Sequence, residues 1–241
     1  MVAIVGASLV GLVVLLVAGV LVYSQVGVLP AEAAAVASVR ENPAITLRDE
    51  GSAIVMTPAS EASGNGLVFI PGAKVDPWAY APTLAGLVAD DHMTVVITKP
   101  WLNLALFDLR GLSTFTDLAS GVETWLVGGH SLGGVRACQL APDASGLVLF
   151  GSYCATDLSH ADLPALSLAG SEDGLSTPAK IAESRHNLPA DAELVEIPGA
   201  SHASFGAYGV QPGDGTPTLS DADVDAIITD RVGAFAQALT R

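Results

Sequence analysis

A serine surrounded by glycines lies near the middle of the chain, in the segment GGHSLGG at residues 128–134. Gly129 and Gly133 stand two residues on either side of Ser131, which makes the pattern Gly-x-Ser-x-Gly. A sharp turn between a strand and a helix exposes the hydroxyl of such a serine, and glycine is needed two residues away because side chains there would collide. The pattern predicts a nucleophilic serine, provided that a strand precedes it and a helix follows it.

A nucleophilic serine needs a general base, and the chain has five histidines. His202, in IPGASHASFG, follows the last predicted strand after a short loop that contains glycine, which is where a base must lie to reach Ser131. His130 is adjacent to the serine, but neighbouring side chains diverge at a sharp turn, so we expect it to pack beside the sheet. His160, in a predicted loop, is the weaker competitor, and the remaining histidines occupy ordinary polar positions.

An acidic side chain must orient the base. The segment LAGSEDGLSTP follows another predicted strand and offers Glu172 and Asp173. Asp173 precedes Gly174, in a turn from which a short acid can point back over the edge of the sheet, so we prefer Asp173 and keep Glu172 as the alternative. The resulting chain order is Ser131, Asp173, His202, the serine–acid–histidine order of one large class of hydrolases.

Two backbone N–H groups are also needed to stabilise the oxyanion that forms when the serine attacks a carbonyl. One is expected from Leu132, directly after the nucleophile. The other is expected from the loop PGAKVDPWAY, where Gly72 lets the backbone approach closely; the donor is Ala73 or Lys74, and we assign it to Ala73. Lys74 could also face the substrate as a cation, although a solvated loop lysine is an equal interpretation.

Alternating strand and helix patterns must position these residues. From about residue 44, two short strands form a predicted hairpin, and apolar strands then alternate with helical segments, including DPWAYAPTLAGLVAD at residues 76–90 and FTDLASGV at residues 115–122. The strand TWLVGG precedes Ser131, the helical segment SLGGVRACQLA follows it, and a closing helix begins after Ser220. Near-continuous apolar strands separated by helices indicate a parallel sheet buried on both faces. The predicted fold class is therefore α/β, with an antiparallel start.

The chain begins with a long apolar segment. Residues 2–23 carry no charge, and the first charged side chain is Glu32. A helix of that length measures about 33 Å, which matches a hydrocarbon core of about 30 Å. We therefore predict a single-pass transmembrane anchor over residues 1–24, a juxtamembrane linker over residues 25–43 and the globular domain over residues 44–241.

Cleavage as a secretory signal is the alternative for this segment, since AEA at residues 31–33 could serve as a cleavage site. A signal peptide would begin with positive charge and have a shorter apolar region. The few Lys and Arg residues near the segment leave its orientation almost undetermined. We place the catalytic domain outside the cytoplasm because no basic cluster follows the segment.

The composition excludes several functions. The chain has 25 Asp and Glu residues against 10 Lys and Arg, which disfavours nucleic acid and anionic lipid headgroups as partners of the globular part. Neither of the two cysteines lies in a CxxC or Cys/His spacing, so no metal site is expected, and no cofactor is called for. Cys138 and Cys154 are either two buried thiols or, if the domain is outside the cell, one disulfide.

Several stretches resemble the α/β-hydrolase superfamily, and most closely the bacterial alpha/beta hydrolase family 5, which is related to dienelactone-hydrolase-like proteins. They are VFIPGAKVDPWAYAP, KPWLNLALF, LVGGHSLGG, GSEDGLSTPAKI and SHASFGAYGVQPGDGTPTLS, and they cover most of residues 65–220. The resemblance implies a hydrolase with a Ser–Asp–His triad at Ser131, Asp173 and His202. Dienelactone hydrolases proper usually carry a cysteine nucleophile, so the serine disfavours that activity.

Many members of this superfamily insert a cap domain between the strands that here are GLVLFG and ALSLAGS. Only SYCATDLSHADLP lies between them, which is too short for a cap. The predicted site is open, walled by WLNLALF, SYCATD and FGAYGVQPGDGTP, in which Asp214 is interpreted as a turn residue. The leading hypothesis is a membrane-anchored carboxylesterase for small or surface-presented esters. The alternatives are acyl transfer to envelope lipids or glycans and a catalytically silent binding module.

Overall fold

A mostly parallel sheet forms the centre of the computed structural model, which describes residues 2–240 and, from residue 11 onward, their side chains. Its strands are β1 (Ile45–Asp49), β2 (Ala53–Pro58), β3 (Asn65–Ile70), β4 (Thr94–Thr98), β5 (Thr124–His130), β6 (Gly146–Phe150), β7 (Ala165–Gly170) and β8 (Glu193–Ile197). They lie in the order β1-β2-β4-β3-β5-β6-β7-β8. β1 and β4 are antiparallel to β2, and every later pair is parallel. The predicted α/β class with an antiparallel start is confirmed.

Helices follow most of the strands. They are α1 (Val2–Gln25), α2 (Ala33–Arg40), α3 (Tyr80–Thr83), α4 (Ala85–Ala89), α5 (Ser113–Thr116), α6 (Leu132–Leu140), α7 (Pro178–Glu183) and α8 (Asp221–Ala238). Short 3-10 turns lie at Pro77–Ala79, Trp101–Asn103, Ala105–Phe107, Ala141–Asp143, Ser184–Asn187 and Ala203–Phe205. Ser220 caps α8 as predicted, because its hydroxyl accepts the N–H of Asp223.

The sheet is covered on both faces, which explains why its central strands are apolar throughout. In β3, Leu67 and Phe69 belong to one core cluster and Val68 and Ile70 to the other, as the alternation of side chains along a strand requires. The helices α3, α4 and α8 contribute to the first cluster, and α6 contributes to the second. The carboxyl ends of the parallel strands are therefore held rigidly at one edge.

Two segments differ from their predicted helical structure. The helix expected over residues 115–122 does not form: only α5 is helical there, and Gly121 has a φ of +81°, a left-handed conformation that no helix continues through. The helical pattern at DPWAYAPTLAGLVAD is divided between a 3-10 turn, α3 and α4. The division falls at Leu84, where ψ is 0°.

Residues 25–43, predicted as a linker, pack in large part on the domain. Leu29 pairs with the loop after β3: its N–H donates to Lys74 O (2.7 Å), and its carbonyl accepts the N–H of Asp76 (2.9 Å). In α2, Val36 and Val39 are buried, and Val39 belongs to the core. The apolar face of α2 needs a partner, and the domain supplies it.

The predicted anchor coincides with α1. Met1 lies outside the described residues, and the side chains of residues 2–10 lie outside them too. Over residues 11–240, no helix has the length and apolarity needed to cross a membrane. The carboxyl end of α1 contacts the domain, where the side-chain amide of Asn103 donates to Ser24 O (3.1 Å).

The segment between β6 and β7, residues 151–164, contains neither a helix nor a strand, so no cap domain is inserted there. Cys154 in this segment forms a disulfide with Cys138 of α6. Of the two states that the sequence left open for the cysteines, the structure has the disulfide. The bond ties the helix after Ser131 to the segment that crosses the carboxyl end of β6.

Candidate active site

Ser131 occupies the turn between β5 and α6 in a strained backbone conformation. Its φ is 51° and its ψ is −123°, a region that residues other than glycine seldom adopt. Two hydrogen bonds hold it there: Ser131 N donates to Phe150 O (3.1 Å), and the hydroxyl of Ser152 donates to Ser131 O (2.7 Å). The end of β6 and the segment after it therefore fix the turn from outside.

The glycines around Ser131 leave no space for side chains. A Cβ added at Gly129 would lie 2.5 Å from the carbonyl carbon of Gly133. A Cβ added at Gly133 would lie 2.7 Å from the carbonyl carbon of Ile70 and would overlap the carbonyl oxygens of Ile70 and Pro71. The turn thus packs directly against the end of β3, and the crowding predicted from the Gly-x-Ser-x-Gly pattern is present.

His202 and Asp173 form a buried pair on the loops after β8 and β7. The distance from His202 Nδ1 to Asp173 Oδ2 is 2.7 Å. The other carboxylate oxygen of Asp173 accepts the N–H groups of Leu175 (2.8 Å) and Ser176 (2.7 Å), so the carboxylate is fixed on both sides. Because a carboxylate accepts, Nδ1 of His202 donates, and Nε2 is left as the basic nitrogen of the ring.

Ser131, Asp173 and His202 lie at the same edge of the sheet, because each follows the carboxyl end of a parallel strand. Gly151, which follows β6, lies beside the pair: a Cβ there would be 3.0 Å from Asp173 Oδ2 and 3.2 Å from His202 Nδ1. The ring of His130, next to the serine, has its centroid 4.3 Å from that of His202. Among the described residues, no hydrogen bond joins the Ser131 hydroxyl to His202; such bonds often form only when substrate is bound.

The alternative candidates lie at the surface. Glu172 is exposed and accepts a hydrogen bond from the hydroxyl of Ser171. His160 is exposed, His92 is bonded to Ser60, and His186 is bonded to the carbonyl of Glu183. Among the described residues, none of these side chains is hydrogen-bonded to Ser131 or His202.

The loop after β3 offers one free N–H group in the expected position. Gly72 N donates to Tyr80 Oη (2.9 Å) and Lys74 N donates to Asn103 O (2.8 Å), whereas Ala73 N has no acceptor among the described residues. Leu132 N, at the first position of α6, likewise has no hydrogen-bond acceptor in the part of the chain that the structure describes. The side chain of Lys74 lies over the ring of Tyr23, with its Nζ 4.1 Å from the centroid. That contact turns the Lys74 cation toward α1.

Comparison with known proteins identifies the family. A sequence model described as the Alpha/beta hydrolase family matches residues 66–225. The chain belongs to the alpha/beta hydrolase family. Among solved structures, this hydrolase is similar to the crystal structure of the esterase domain from a Rhodothermus marinus protein, with 17% identity and a TM-score of 0.58 over 77% of this chain and 92% of that one. At that identity the likeness concerns the fold. No curated protein matches the chain.

In this alpha/beta hydrolase, three buried polar groups beneath the candidate site are linked by hydrogen bonds that the sequence did not reveal: Gly72 N–H, the Tyr80 hydroxyl and His130 Nδ1. The hydroxyl of Tyr80 accepts the N–H of Gly72 and lies 2.9 Å from His130 Nδ1. Burial, aided by nearby His202, lowers the pKa of His130 well below its usual value, so the ring stays neutral. The only sequence signal was a tyrosine within a buried helical pattern, where its hydroxyl needs a partner.

Two large apolar side chains are half exposed in the segment after β4. They are Trp101 and Phe107, and the backbone of this segment contacts the loop after β3, because Asn103 O accepts the N–H of Lys74. A separate cavity of about 210 Å³ is lined by residues of the His202 loop and of the PGDG turn at residues 212–215, and neither Ser131 nor His202 lines it. No cluster of three or more metal-binding side chains occurs in the described part of the chain.

Proposed function

We propose that this alpha/beta hydrolase is a serine carboxylesterase that acts through an acyl-enzyme. The observation that carries the proposal is the buried pair of His202 and Asp173 at the same sheet edge as Ser131. Strain in a non-glycine residue is retained where the surrounding structure enforces it, and functional sites are where it concentrates. The family assignment supports hydrolysis, and the similarity to an esterase domain supports esters as the substrate class.

In the proposed reaction, Ser131 Oγ attacks the ester carbonyl carbon while His202 Nε2 takes its proton. The carbonyl oxygen gains negative charge and is stabilised by the N–H groups of Leu132 and Ala73, each worth about 10²–10³-fold in rate. The C–O bond to the alcohol breaks, and the imidazolium protonates the leaving alkoxide. Water, deprotonated by His202, then attacks the acyl carbon, the bond from that carbon to Ser131 Oγ breaks, and the imidazolium returns its proton to Oγ as the acid leaves. Asp173 keeps the ring in the tautomer that each step needs.

The absence of a cap between β6 and β7 supports an open site for small or surface-presented esters. We expect the half-exposed Trp101 and Phe107 to form an apolar wall beside the substrate, which suits a short acyl or alkyl group. A long acyl chain would remain largely in water in such a site. We therefore expect acetate and butyrate esters to be cleaved with higher kcat/KM than octanoate esters.

The cellular location is a separate part of the proposal. Disulfides persist in oxidising compartments, so the bond between Cys138 and Cys154 supports a catalytic domain outside the cytoplasm. Attachment to a membrane through residues 2–23 is supported by the sequence alone. If it is correct, the full chain stays in the carbonate-washed membrane pellet, and a variant with Leu15→Arg and Leu16→Arg is released. Release of the unmodified chain would refute the anchor.

The activated serine is tested by labelling the full chain with a fluorophosphonate probe, which reacts only with an activated nucleophile. The unmodified protein should be labelled, and Ser131→Ala and His202→Ala should not. Ser159→Ala, which removes a half-buried serine hydroxyl bonded to Asp157, is the matched control and should label normally. Circular dichroism confirms that each variant is folded. A folded but unlabelled wild type would exclude the esterase and favour a catalytically silent binding module.

A further inference from the structure

The PGDG turn at residues 212–215 contacts two loops of the candidate site through one carboxylate. Asp214 Oδ1 accepts the N–H groups of His202 (3.1 Å) and Gly174 (3.0 Å), and also that of its own neighbour Gly215 (2.7 Å). Asp214 Oδ2 accepts the N–H of Ala203 (2.7 Å). An ordinary turn aspartate accepts bonds from residues just after it in the chain. Three of the four donors here lie in distant segments.

These donors belong to the two loops that carry the proposed acid and base. Gly174 directly follows Asp173 on the loop after β7, and His202 and Ala203 lie on the loop after β8. β7 and β8 pair as far as Gly170 and Ile197, and just beyond them the N–H of Glu172 donates to Ala200 O (2.9 Å). The Asp214 carboxylate adds a further connection closer to the pair, one residue after Asp173 and on the backbone of His202 itself.

The charge of Asp214 strengthens this connection. Burial opposes its ionisation, but the N–H groups of Ala203, Gly174 and His202 outweigh burial and hold the pKa of Asp214 below its ordinary value. Hydrogen bonds to an ionised acceptor are roughly twice as strong as those between neutral groups. The carboxylate therefore remains charged at neutral pH.

Close packing independently fastens the turn to the acid loop. A Cβ added at Gly174 would lie 2.8 Å from both Gly213 O and Gly215 N. A Cβ added at Gly215 would lie 2.9 Å from the carbonyl carbon of Glu172 and would overlap its oxygen. The backbones of the turn and the acid loop are thus in direct contact, and the turn cannot shift without moving the residues on either side of Asp173.

We propose that Asp214 is a positioning residue that sets the distance and orientation of His202 relative to Asp173. This inference rests on the proposed function and deepens it, since it assigns a further residue to the same site. We do not assign Asp214 a catalytic role, because both of its carboxylate oxygens are occupied by backbone N–H groups. A displacement of about 1 Å in a catalytic group can cost about 10²-fold in rate.

The decisive variant is Asp214→Asn, which keeps the size of the side chain but removes its charge and one acceptor. With 4-nitrophenyl acetate, kcat should fall about 10- to 100-fold while KM changes less than about twofold, because Asp214 does not touch substrate. The second-order rate of fluorophosphonate labelling should fall by the same factor. Asp214→Glu keeps the charge and both oxygens and should recover part of the loss; it replaces Asp214→Asn if that variant does not fold.

The matched control is Asp221→Asn, which removes another carboxylate from the wall of the same 210 Å³ cavity. Its kcat and KM should equal those of the wild type. If Asp214→Asn is folded and also retains wild-type kcat, or if it changes only KM, the positioning role is overturned.

Nuclear magnetic resonance separates this inference from the proposed function. The Nδ1–H proton of His202, bonded to Asp173, gives a downfield signal in protein with 15N-labelled histidine. That signal should shift or broaden in Asp214→Asn and stay unchanged in Asp221→Asn. If the wild type has no esterase activity but the signal responds, the function fails and the positioning role stands. An unchanged signal overturns the positioning role whether or not the enzyme is active.

Discussion

Removing the hydroxyl of Tyr80 tests whether its hydrogen bonds to Gly72 and His130 hold the loop after β3 in place. The hydroxyl is fully buried, accepts the N–H of Gly72 and bonds to His130 Nδ1, both at 2.9 Å. In Tyr80→Phe, the ring keeps its packing against Phe69, but two buried polar groups lose their partner. Because Tyr80 and His130 are both buried, we expect no water to replace the oxygen.

The expected loss of stability follows from those two groups. A buried donor or acceptor left unsatisfied costs about 1–3 kcal/mol, and the removed hydroxyl no longer has to be desolvated, so the net loss should be about 2–4 kcal/mol. At about 2–4 °C per kcal/mol for a domain of this size, Tm should fall by roughly 5–15 °C. Since Gly72 directly precedes the proposed oxyanion donor Ala73, kcat should also fall by about tenfold, less than the 10²–10³-fold cost of losing the donor.

The assays are urea unfolding and the kinetics of 4-nitrophenyl acetate hydrolysis. Tyr208→Phe is the control, because the hydroxyl of this buried tyrosine makes only long contacts, 3.2 Å to Gln211 and 3.5 Å to His202 O. We expect it to lose less than about 1 kcal/mol. If the free energy of unfolding of Tyr80→Phe lies within about 0.5 kcal/mol of the wild-type value and kcat is unchanged, the Tyr80 hydrogen bonds do not hold the loop and the reasoning is refuted.

Two further predictions concern packing and charge. Gly133→Ala places a Cβ against the carbonyls of Ile70 and Pro71, so it should cost about 1–3 kcal/mol and abolish fluorophosphonate labelling, whereas Gly111→Ala, with open space around it, should change neither. Burial raises the pKa of Asp225 to about 6, despite its hydrogen bond with Thr83. Its charge therefore destabilises the fold increasingly as pH rises from about 4 to 6, and Asp225→Asn should stabilise by about 1–2 kcal/mol at pH 8 and by almost nothing at pH 4 in urea unfolding. An equal effect at both pH values would contradict this assignment.

The sequence by itself determined the elements whose signals are local. The strand before Ser131, the glycines around it and the helix after it lie within one short stretch, and steric crowding there depends only on near neighbours. The apolar runs of the parallel strands reflect burial on both faces, so the α/β class followed from periodicity alone. Because parallel strands end at a common edge, residues that follow different strands could be assigned to one site, and Ser131, Asp173 and His202 do lie at that edge.

Only the tertiary structure decided the features that depend on contacts between distant segments. Tyr80 and His130 are separated by 50 positions, and Asp214 reaches Gly174 across 40, so no local pattern distinguishes them from a core aromatic and a turn acid. The packing of α2 on the domain and the disulfide likewise required the relative placement of whole elements. Periodicity also failed at residues 115–122, where apolar spacing favoured a helix but α5 ends at Thr116 and Gly121 is left-handed. Local steric crowding and burial depend on short stretches of sequence, whereas the partners of buried polar groups depend on which distant segments the fold brings together.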